Sequence, residues 1–278
     1  MAKNIGVKKQ LIEVQPVIDI IELTLQSAFI KPYAPASLIL IANPESCKTR
    51  SIFFRSDYDF VHYTNEITAK MFIDKVLDKA QKKEIRFLMV PDLLNCIEKQ
   101  KTSRQQFLNL IKSSIDEGIT KIQTYYKQIE SDIPIKLGMI TAITSASFHD
   151  TRDKLKKYLA DTGILSRFIP FSYSYPIDKI KRIFDDIEGI AHKQSTFFKK
   201  IKCVEKAIKA KPELLKELEI LSREIGRQYG AYGIRAQLNL QKLAKANAYI
   251  HNRLEVNKSD IDTILKLGKW INFNSNPL

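Results

Sequence analysis

A lysine and a threonine, Lys48 and Thr49, close a short polar loop that follows an apolar segment, in the order Ala42-Asn-Pro-Glu-Ser-Cys-Lys-Thr49. Their side chains at this point could hold an anionic ligand. The ammonium would reach phosphate oxygens, the hydroxyl would bind Mg²⁺, and backbone N–H groups of the loop would cradle the phosphates. The preceding residues, Leu38 to Ile41, are all apolar. They predict a buried strand that leads into the loop.

The order of strand, loop and Lys-Thr at a helix start is typical of a P-loop that binds a nucleotide triphosphate. The strict pattern Gly-x-x-x-x-Gly-Lys-[Ser/Thr] is not met, because Ala42 and Cys47 stand where the glycines belong. Alanine resists the positive φ that glycine accepts, and the carboxylate of Glu45 would repel phosphates if it pointed inward. The alternative is an ordinary surface turn. The predicted nucleotide contacts in the loop are Asn43, Pro44, Glu45, Ser46, Cys47, Lys48 and Thr49.

The bulk composition limits the class of protein. With 278 residues, 44% hydrophobic and 27% charged, the chain is long enough for one large or two modest globular domains. A net charge of +14 favours nucleic acid or another polyanion as a partner, with a lysine-rich proteome or thermal adaptation as the alternative. The three cysteines and four histidines are scattered, which argues against a disulfide scaffold or a zinc cluster. We expect a soluble, cytoplasmic protein without a membrane segment.

Apolar segments alternate with amphipathic ones over the first two thirds of the chain. The pattern predicts helices at 15–30, from Lys48 and at 102–118, and strands at 38–41, 85–90, 135–144 and 168–173. Such alternation indicates an α/β core with a parallel sheet. From 177 to 271 the pattern is helical throughout, with an amphipathic helix at 234–252 and a cap at 257–260 before the next one. We therefore predict an α/β core over 1–175 and a small all-helical domain over 176–278.

Three segments, in the same order along the chain, resemble the AAA+ ATPases of the MCM/MoxR type. The loop is similar to the MCM Walker A form Gly-Asp-Pro-Gly-Thr-Ala-Lys-Ser, which also has a small non-glycine residue before its lysine. Leu165-Ser-Arg-Phe168 resembles the MCM segment Leu-Ser-Arg-Phe-Asp, and 233–261 resembles the helical lid of these proteins. The resemblance implies a P-loop AAA+ core, followed by a lid, that binds ATP and Mg²⁺ between the protomers of a ring or filament.

The resemblance also implies roles for individual residues. Arg167 would be the arginine finger that reaches the nucleotide of the neighbouring subunit, and Arg235 would be the lid arginine (sensor 2) that touches the γ-phosphate. Thr144, favoured slightly over Thr141, would orient the attacking water at the end of its strand. The alternatives are solvated or salt-bridged arginines and threonines that only fill a strand.

Asp92, at the end of the strand 85–90, is the candidate Walker B aspartate and would hold Mg²⁺ together with Thr49. A helix cap after Pro91 is the alternative. The next residue is Leu93, where AAA+ hydrolases normally have the glutamate that activates water. The sequence therefore has no glutamate at the position that would activate water; other acidic residues are Glu66, on another segment, and Glu98, about one helical turn further on.

Three classes of function remain after the sequence analysis. The first is an oligomeric AAA+ ATP-binding protein associated with DNA in replication, transposition or mobile-element maintenance. The second is a non-hydrolysing AAA+-like structural or adaptor subunit. The third is a basic DNA-binding protein without nucleotide. The lysine-rich run 199–211 could contact DNA phosphates or could be a solvated helix face, and the tyrosine pairs 125–126 and 173/175 are expected to pack in the core rather than stack on bases.

Overall fold

The computed structural model describes residues 14–32, 35–124, 127–150, 155–185 and 201–278. Its strands, in chain order, are β1 (Ile30–Lys31), β2 (Leu38–Ala42), β3 (Val61–Tyr63), β4 (Phe87–Val90), β5 (Ile119–Gln123), β6 (Gln128–Ile135), β7 (Gly138–Thr144), β8 (Ile169–Ser174), β9 (Lys206–Ala207) and β10 (Asn276–Pro277). Six of them form one parallel sheet in the order β10-β8-β2-β7-β4-β3. The other four form an antiparallel hairpin, β5–β6, and a short parallel pair, β1–β9.

The described helices are α1 (Gln15–Gln26), α2 (Lys48–Phe53), α3 (Ala69–Met71), α4 (Asp78–Gln81), α5 (Leu94–Ile97), α6 (Lys101–Ile115), α7 (Ser145–His149), α8 (Leu155–Asp161), α9 (Ile177–Asp185), α10 (Pro212–Lys216), α11 (Glu219–Arg227), α12 (Ile234–Ile250) and α13 (Lys258–Leu267). A π-helical turn, Phe72–Leu77, joins α3 to α4. None of the described helices is long and apolar enough to cross a membrane.

The central strands are buried on both faces, as expected for a parallel sheet that helices cover on both sides. Every residue of β2 and β4 is buried. The structure confirms the predicted α/β class, with a six-stranded parallel sheet followed by a helical lid region.

The predicted strand 135–144 divides in two. Ile135 ends β6, and β7 begins at Gly138. A side chain at Gly138 would lie 2.2 Å from the ring of Phe87, so this glycine lets β7 pair closely with β4. The sequence analysis did not predict β3 or β5. Both are short, and each carries partly exposed polar residues that weaken the apolar signal.

The prediction of continuous helix after residue 177 is wrong at 201–211, where the chain is extended and contributes β9. The side-chain amide of Gln26 makes two hydrogen bonds to the backbone of Lys202, accepting from its N–H at 2.9 Å and donating to its carbonyl at 2.7 Å. Ile201 and Ile208 are buried. The described part of the lysine-rich run is therefore held against the core, and a solvated helix face does not describe it.

The predicted cap of the last helix is confirmed as a capping box. The side chain of Asn257 accepts from the N–H of Asp260 at 3.3 Å, and Asp260 accepts from the N–H of Asn257 at 2.9 Å. Asp260 is fully buried and also accepts from Asn247 of α12 and from both terminal nitrogens of Arg253. This carboxylate joins α12 to α13.

Candidate functional site

The loop 43–47 lies at the carboxyl end of β2, in the middle of the sheet. β2 pairs with β7 on one side and with β8 on the other. After β2 the chain forms β3, β4 and β7 on the first side, and it crosses to the other side of β2 only at β8. Ligands of open parallel sheets bind at the carboxyl ends of the strands, at such a change of direction. The fold therefore places the candidate loop where a ligand is expected.

The Lys48 side chain is folded back into this loop. Its ammonium donates to the carbonyl oxygen of Ala42 at 2.7 Å, to the carbonyl oxygen of Asn43, and to the hydroxyl of Ser46 at 3.2 Å. Only 9% of the residue is exposed. Burial lowers the pKa of Lys48 to about 8, against the opposing effect of the nearby Asp92 carboxylate. A buried ammonium held only by neutral oxygens is prepared to accept an anion.

Two residues of the loop have a left-handed backbone, Glu45 with φ 62° and Cys47 with φ 63°. Cys47 stands at the second glycine position of the pattern, so its backbone adopts the glycine conformation with a side chain present. Ala42, by contrast, ends β2 in extended conformation, and the strain expected there does not arise. Glu45 is exposed to solvent, which satisfies the condition for the loop to tolerate its charge.

Tyr173 supports the loop from the neighbouring strand. Its ring is fully buried, as expected from packing, and its hydroxyl donates to the carbonyl oxygen of Ser46 at 2.8 Å. Burial raises the pKa of Tyr173, so the phenol stays protonated and keeps this bond. The sequence analysis missed this contact. The signal is a phenol in β8 at the register position opposite Ala42.

Thr49 and Asp92 supply the hydroxyl and the carboxylate that a Mg²⁺ ion would need. Thr49 is exposed in the first turn of α2, and Asp92 follows β4. One oxygen of Asp92 accepts from the N–H of Leu94 at 3.0 Å, just before α5, whose N-cap residue is Leu93. The Asp92 carboxylate is close enough to Lys48 to oppose the lowering of the lysine pKa by burial. Oxygen ligands of these two kinds fit a hard cation.

Leu93 has a structural place. It is 2% exposed, and its N–H donates to the carbonyl oxygen of Ala142 at 2.9 Å. An apolar side chain cannot take a proton from water. Of the other acids considered, Glu66 is paired with Lys99 and Glu98 is exposed.

Thr144 lies beside the loop, in register with Ala42. Its hydroxyl donates to the hydroxyl of Ser147 at 2.7 Å and caps α7. Thr141 is fully buried inside the sheet, level with Ile39, and its hydroxyl has no partner among the described residues. The geometry therefore agrees with the preference for Thr144, although its role with water stays a prediction.

Arg167 and Arg235 lie together near the amino ends of the strands, whereas Lys48 lies at the carboxyl ends. Arg167 comes just before β8, whose first residue pairs with the first residue of β2. Lys48 follows the carboxyl end of β2, and this strand of five residues is about 16 Å long at 3.3 Å per residue. Both guanidinium groups bind the carboxylate of Asp116, at 3.3 Å from Arg167 and 2.8 Å from Arg235.

This position separates Arg235 from the loop of its own chain. In this structure the Arg235 guanidinium binds Asp116, and its contact with the γ-phosphate stays a prediction. The sequence analysis did not single out Asp116, because an aspartate after a helix carries no local signal of two arginine partners that are distant in sequence.

Comparison with known proteins supports the lid. Residues 222–267, which include α12 and α13, match the family model of the AAA lid domain. A parallel α/β core that precedes such a lid is consistent with an AAA+ module. No curated protein matches the chain.

Proposed function

We propose that the protein is an AAA+ module of the MCM/MoxR type that binds ATP with Mg²⁺. The observation that carries this proposal is the buried Lys48 ammonium, enclosed by the loop at the carboxyl end of β2. Phosphate oxygens would replace the carbonyl oxygens of Ala42 and Asn43 as its partners. Thr49 and Asp92 would hold the metal ion, which supplies charge neutralisation on the phosphates.

Hydrolysis is the weaker part of this function. The loop residues would bind and orient the phosphates, and Thr144, in register with Ala42 at the start of the loop, would orient a water molecule beside them. The position after Asp92 is filled by the buried Leu93 and offers no group that accepts a proton. This favours slow turnover, and it also supports the second candidate function, a structural or adaptor subunit in which nucleotide serves to hold protomers together.

The proposed module acts as an oligomer, in a ring or a filament. Arg167 and Arg235 lie near the amino ends of the strands, away from the Lys48 loop of their own chain, and this position supports a role at a nucleotide held by another copy of the chain. Arginine residues supplied in this way neutralise charge on the transferred phosphate. The cluster thus supports a site shared between two protomers.

The first test is nucleotide binding by the intact chain. We expect saturable binding of ATP with Mg²⁺, and a melting temperature that rises with ligand concentration, because a ligand that binds only the folded state stabilises it. Isothermal titration calorimetry and thermal denaturation measure the two effects. A chain that shows neither, at millimolar ATP, refutes the nucleotide function.

The lowered pKa of Lys48 predicts a pH-dependent affinity. Bound phosphate favours the charged ammonium and raises its pKa again, so above pH 8 ATP binding must take up a proton and the affinity falls, by up to about tenfold per pH unit. The stability of the free chain should change in the opposite direction. Between pH 8 and 10.5 the unfolded chain binds more protons at this lysine, and stability therefore rises with pH.

Titration calorimetry in two buffers of different ionisation enthalpy measures the proton uptake directly. Lys48→Met is the control for both effects, since it removes the titrating group. A pH-independent affinity between pH 7 and 9.5 contradicts the prediction.

We further propose DNA as a partner, in replication, transposition or mobile-element maintenance. The support is the net charge of +14 and the exposed lysines of the extended segment, Lys206, Lys209 and Lys211. Replacing all three by glutamine should weaken DNA binding and reduce the slope of log K against log salt by about 3, since each phosphate contact contributes about 0.9.

Fluorescence anisotropy at several salt concentrations measures this slope. A matched variant removes the same charge from exposed lysines elsewhere, namely Lys101, Lys157 and Lys266. Equal effects of the two variants would remove the extended segment as a DNA contact, and salt-independent or absent binding would remove DNA as a partner.

A further inference from the structure

One carboxylate oxygen binds two arginines near the amino ends of the sheet strands. Oδ2 of Asp116, the residue after α6, accepts from Nε of Arg235 at 2.8 Å, and the terminal nitrogens of Arg235 and Arg167 lie 2.8 and 3.3 Å from the same atom. Arg167 belongs to the core, whereas Arg235 belongs to α12 of the lid. Asp116 is therefore a joint between the two parts of the molecule.

The group around Asp116 carries an excess of positive charge. Lys242 lies two turns after Arg235 on α12, and its ammonium donates to the side chain of Asn239 at 3.2 Å. Burial, together with the neighbouring charge of Lys136, lowers the pKa of Lys242 to about 8. Four cationic side chains thus lie near the carboxylate of Asp116, with only the exposed Glu117 as a further negative charge acting on Arg167, and the cost of this arrangement is repulsion and desolvation.

The donors of this group also outnumber its acceptors. Nε of Arg167 is buried and has no hydrogen-bond partner among the described residues. One terminal nitrogen of Arg167 donates to the carbonyl oxygen of Gly163 at 2.7 Å, and another faces Asp116. A carboxylate has two oxygens, whereas a phosphate offers three or more and can satisfy guanidinium groups in the same bidentate manner.

We infer that Asp116 occupies the place that a phosphate group of a nucleotide, held by a second copy of this chain, would take. Asp116 thus acts as an autoinhibitory latch on Arg167 and Arg235. This inference rests on the proposed function. In the isolated chain Asp116 binds both arginines, offsets one of their two positive charges, and links the lid helix α12 to the end of α6. When protomers assemble, the terminal phosphate of the neighbour's nucleotide displaces Asp116 and takes both guanidinium groups.

The first experiment removes the carboxylate and uses inorganic phosphate as the probe. Asp116→Asn is combined with Lys48→Ala, so that the loop of the chain itself cannot account for a response. The measured quantity is the increase in melting temperature in phosphate relative to chloride at equal ionic strength. We expect this increase to be several-fold larger for the double variant than for Lys48→Ala alone. Glu117→Gln, which removes the adjacent exposed charge, is the matched control and should resemble its parent.

The second experiment measures assembly, which a purely structural role of Asp116 would not improve. With ATP and Mg²⁺ present, we expect Asp116→Asn to form oligomers at about tenfold lower protein concentration than the unchanged chain. Sedimentation velocity measures this concentration. The tenfold shift corresponds to a latch that lowers the equilibrium constant of assembly about tenfold. Weaker assembly, or an unchanged response to phosphate, overturns the latch.

Two further outcomes are separable. If Asp116→Asn does not fold, the residual phosphate response of Lys48→Ala is compared with that of Arg235→Gln in the same background. This arginine is partly exposed, and its loss should lower the residual response; an unchanged response overturns the inference. If the unchanged chain binds no ATP, the proposed function fails, whereas the phosphate response still shows whether Asp116 occupies an anion site.

Discussion

Replacing Lys48 with alanine is expected to lower the affinity for ATP about 100-fold, which corresponds to charge-assisted hydrogen bonds worth roughly 3 kcal/mol. The side chain places its ammonium inside the loop before any ligand arrives, held by the carbonyl oxygens of Ala42 and Asn43. The fold should survive, because the substitution also removes a buried charge whose desolvation opposes folding.

The matched control for this variant is Arg50→Ala. Arg50 lies two residues further on in α2 and is exposed, so it removes one positive charge from the same helix without entering the loop. Calorimetric titration of both variants with ATP and Mg²⁺ separates a specific contact from a general effect of charge. Equal affinities in Lys48→Ala and the unchanged chain would show that the loop does not hold the phosphates.

Replacing Gly233 with alanine is expected to destabilise the lid by about 2–4 kcal/mol, the sum of a left-handed backbone and a steric overlap. Gly233 has φ 82°, and a side chain there would lie 2.2 Å from the carbonyl oxygen of Ser222 in α11. Gly233 is the N-cap residue of α12, so its displacement would also move Arg235, which stands two positions later.

Gly230 offers a control within the same turn. It has φ 75°, but no atom lies within 4 Å of the position that a side chain would take. Gly230→Ala should therefore cost only the backbone term, about 1–2 kcal/mol. Urea denaturation of the two variants measures the difference. If Gly233→Ala is no less stable than Gly230→Ala, close packing between α11 and α12 does not determine the lid.

The choice between an ATPase and an adaptor depends on the residue after Asp92. Leu93 is buried and donates its N–H to β7, so a glutamate could not simply replace it without burying a charge. The local structure has adapted to an apolar residue at this point. This favours a protein that binds nucleotide more readily than it hydrolyses it.

Local features of the chain could be predicted from the sequence because their causes lie within a few residues. The four apolar residues Leu38 to Ile41 form β2 together with Ala42, and the Lys-Thr pair that follows the loop begins α2. The capping box of Asn257 and Asp260 needs only two residues three positions apart. The family match of the lid covers one continuous segment, residues 222–267, which includes Arg235 and the capping box. The lid could therefore be recognised from the sequence alone.

The tertiary structure alone decided which distant residues meet. Asp116, Arg167 and Arg235 belong to three separate segments, and no spacing in the sequence brings their charges to one oxygen atom. The same holds for Tyr173 and the loop, which meet because β8 pairs with β2 in parallel register. Short-range periodicity specifies each element and its buried face. The parallel pairing of β8 with β2, set by the packing of the whole core, places Lys48 at the carboxyl ends of the strands and the paired arginines near their amino ends.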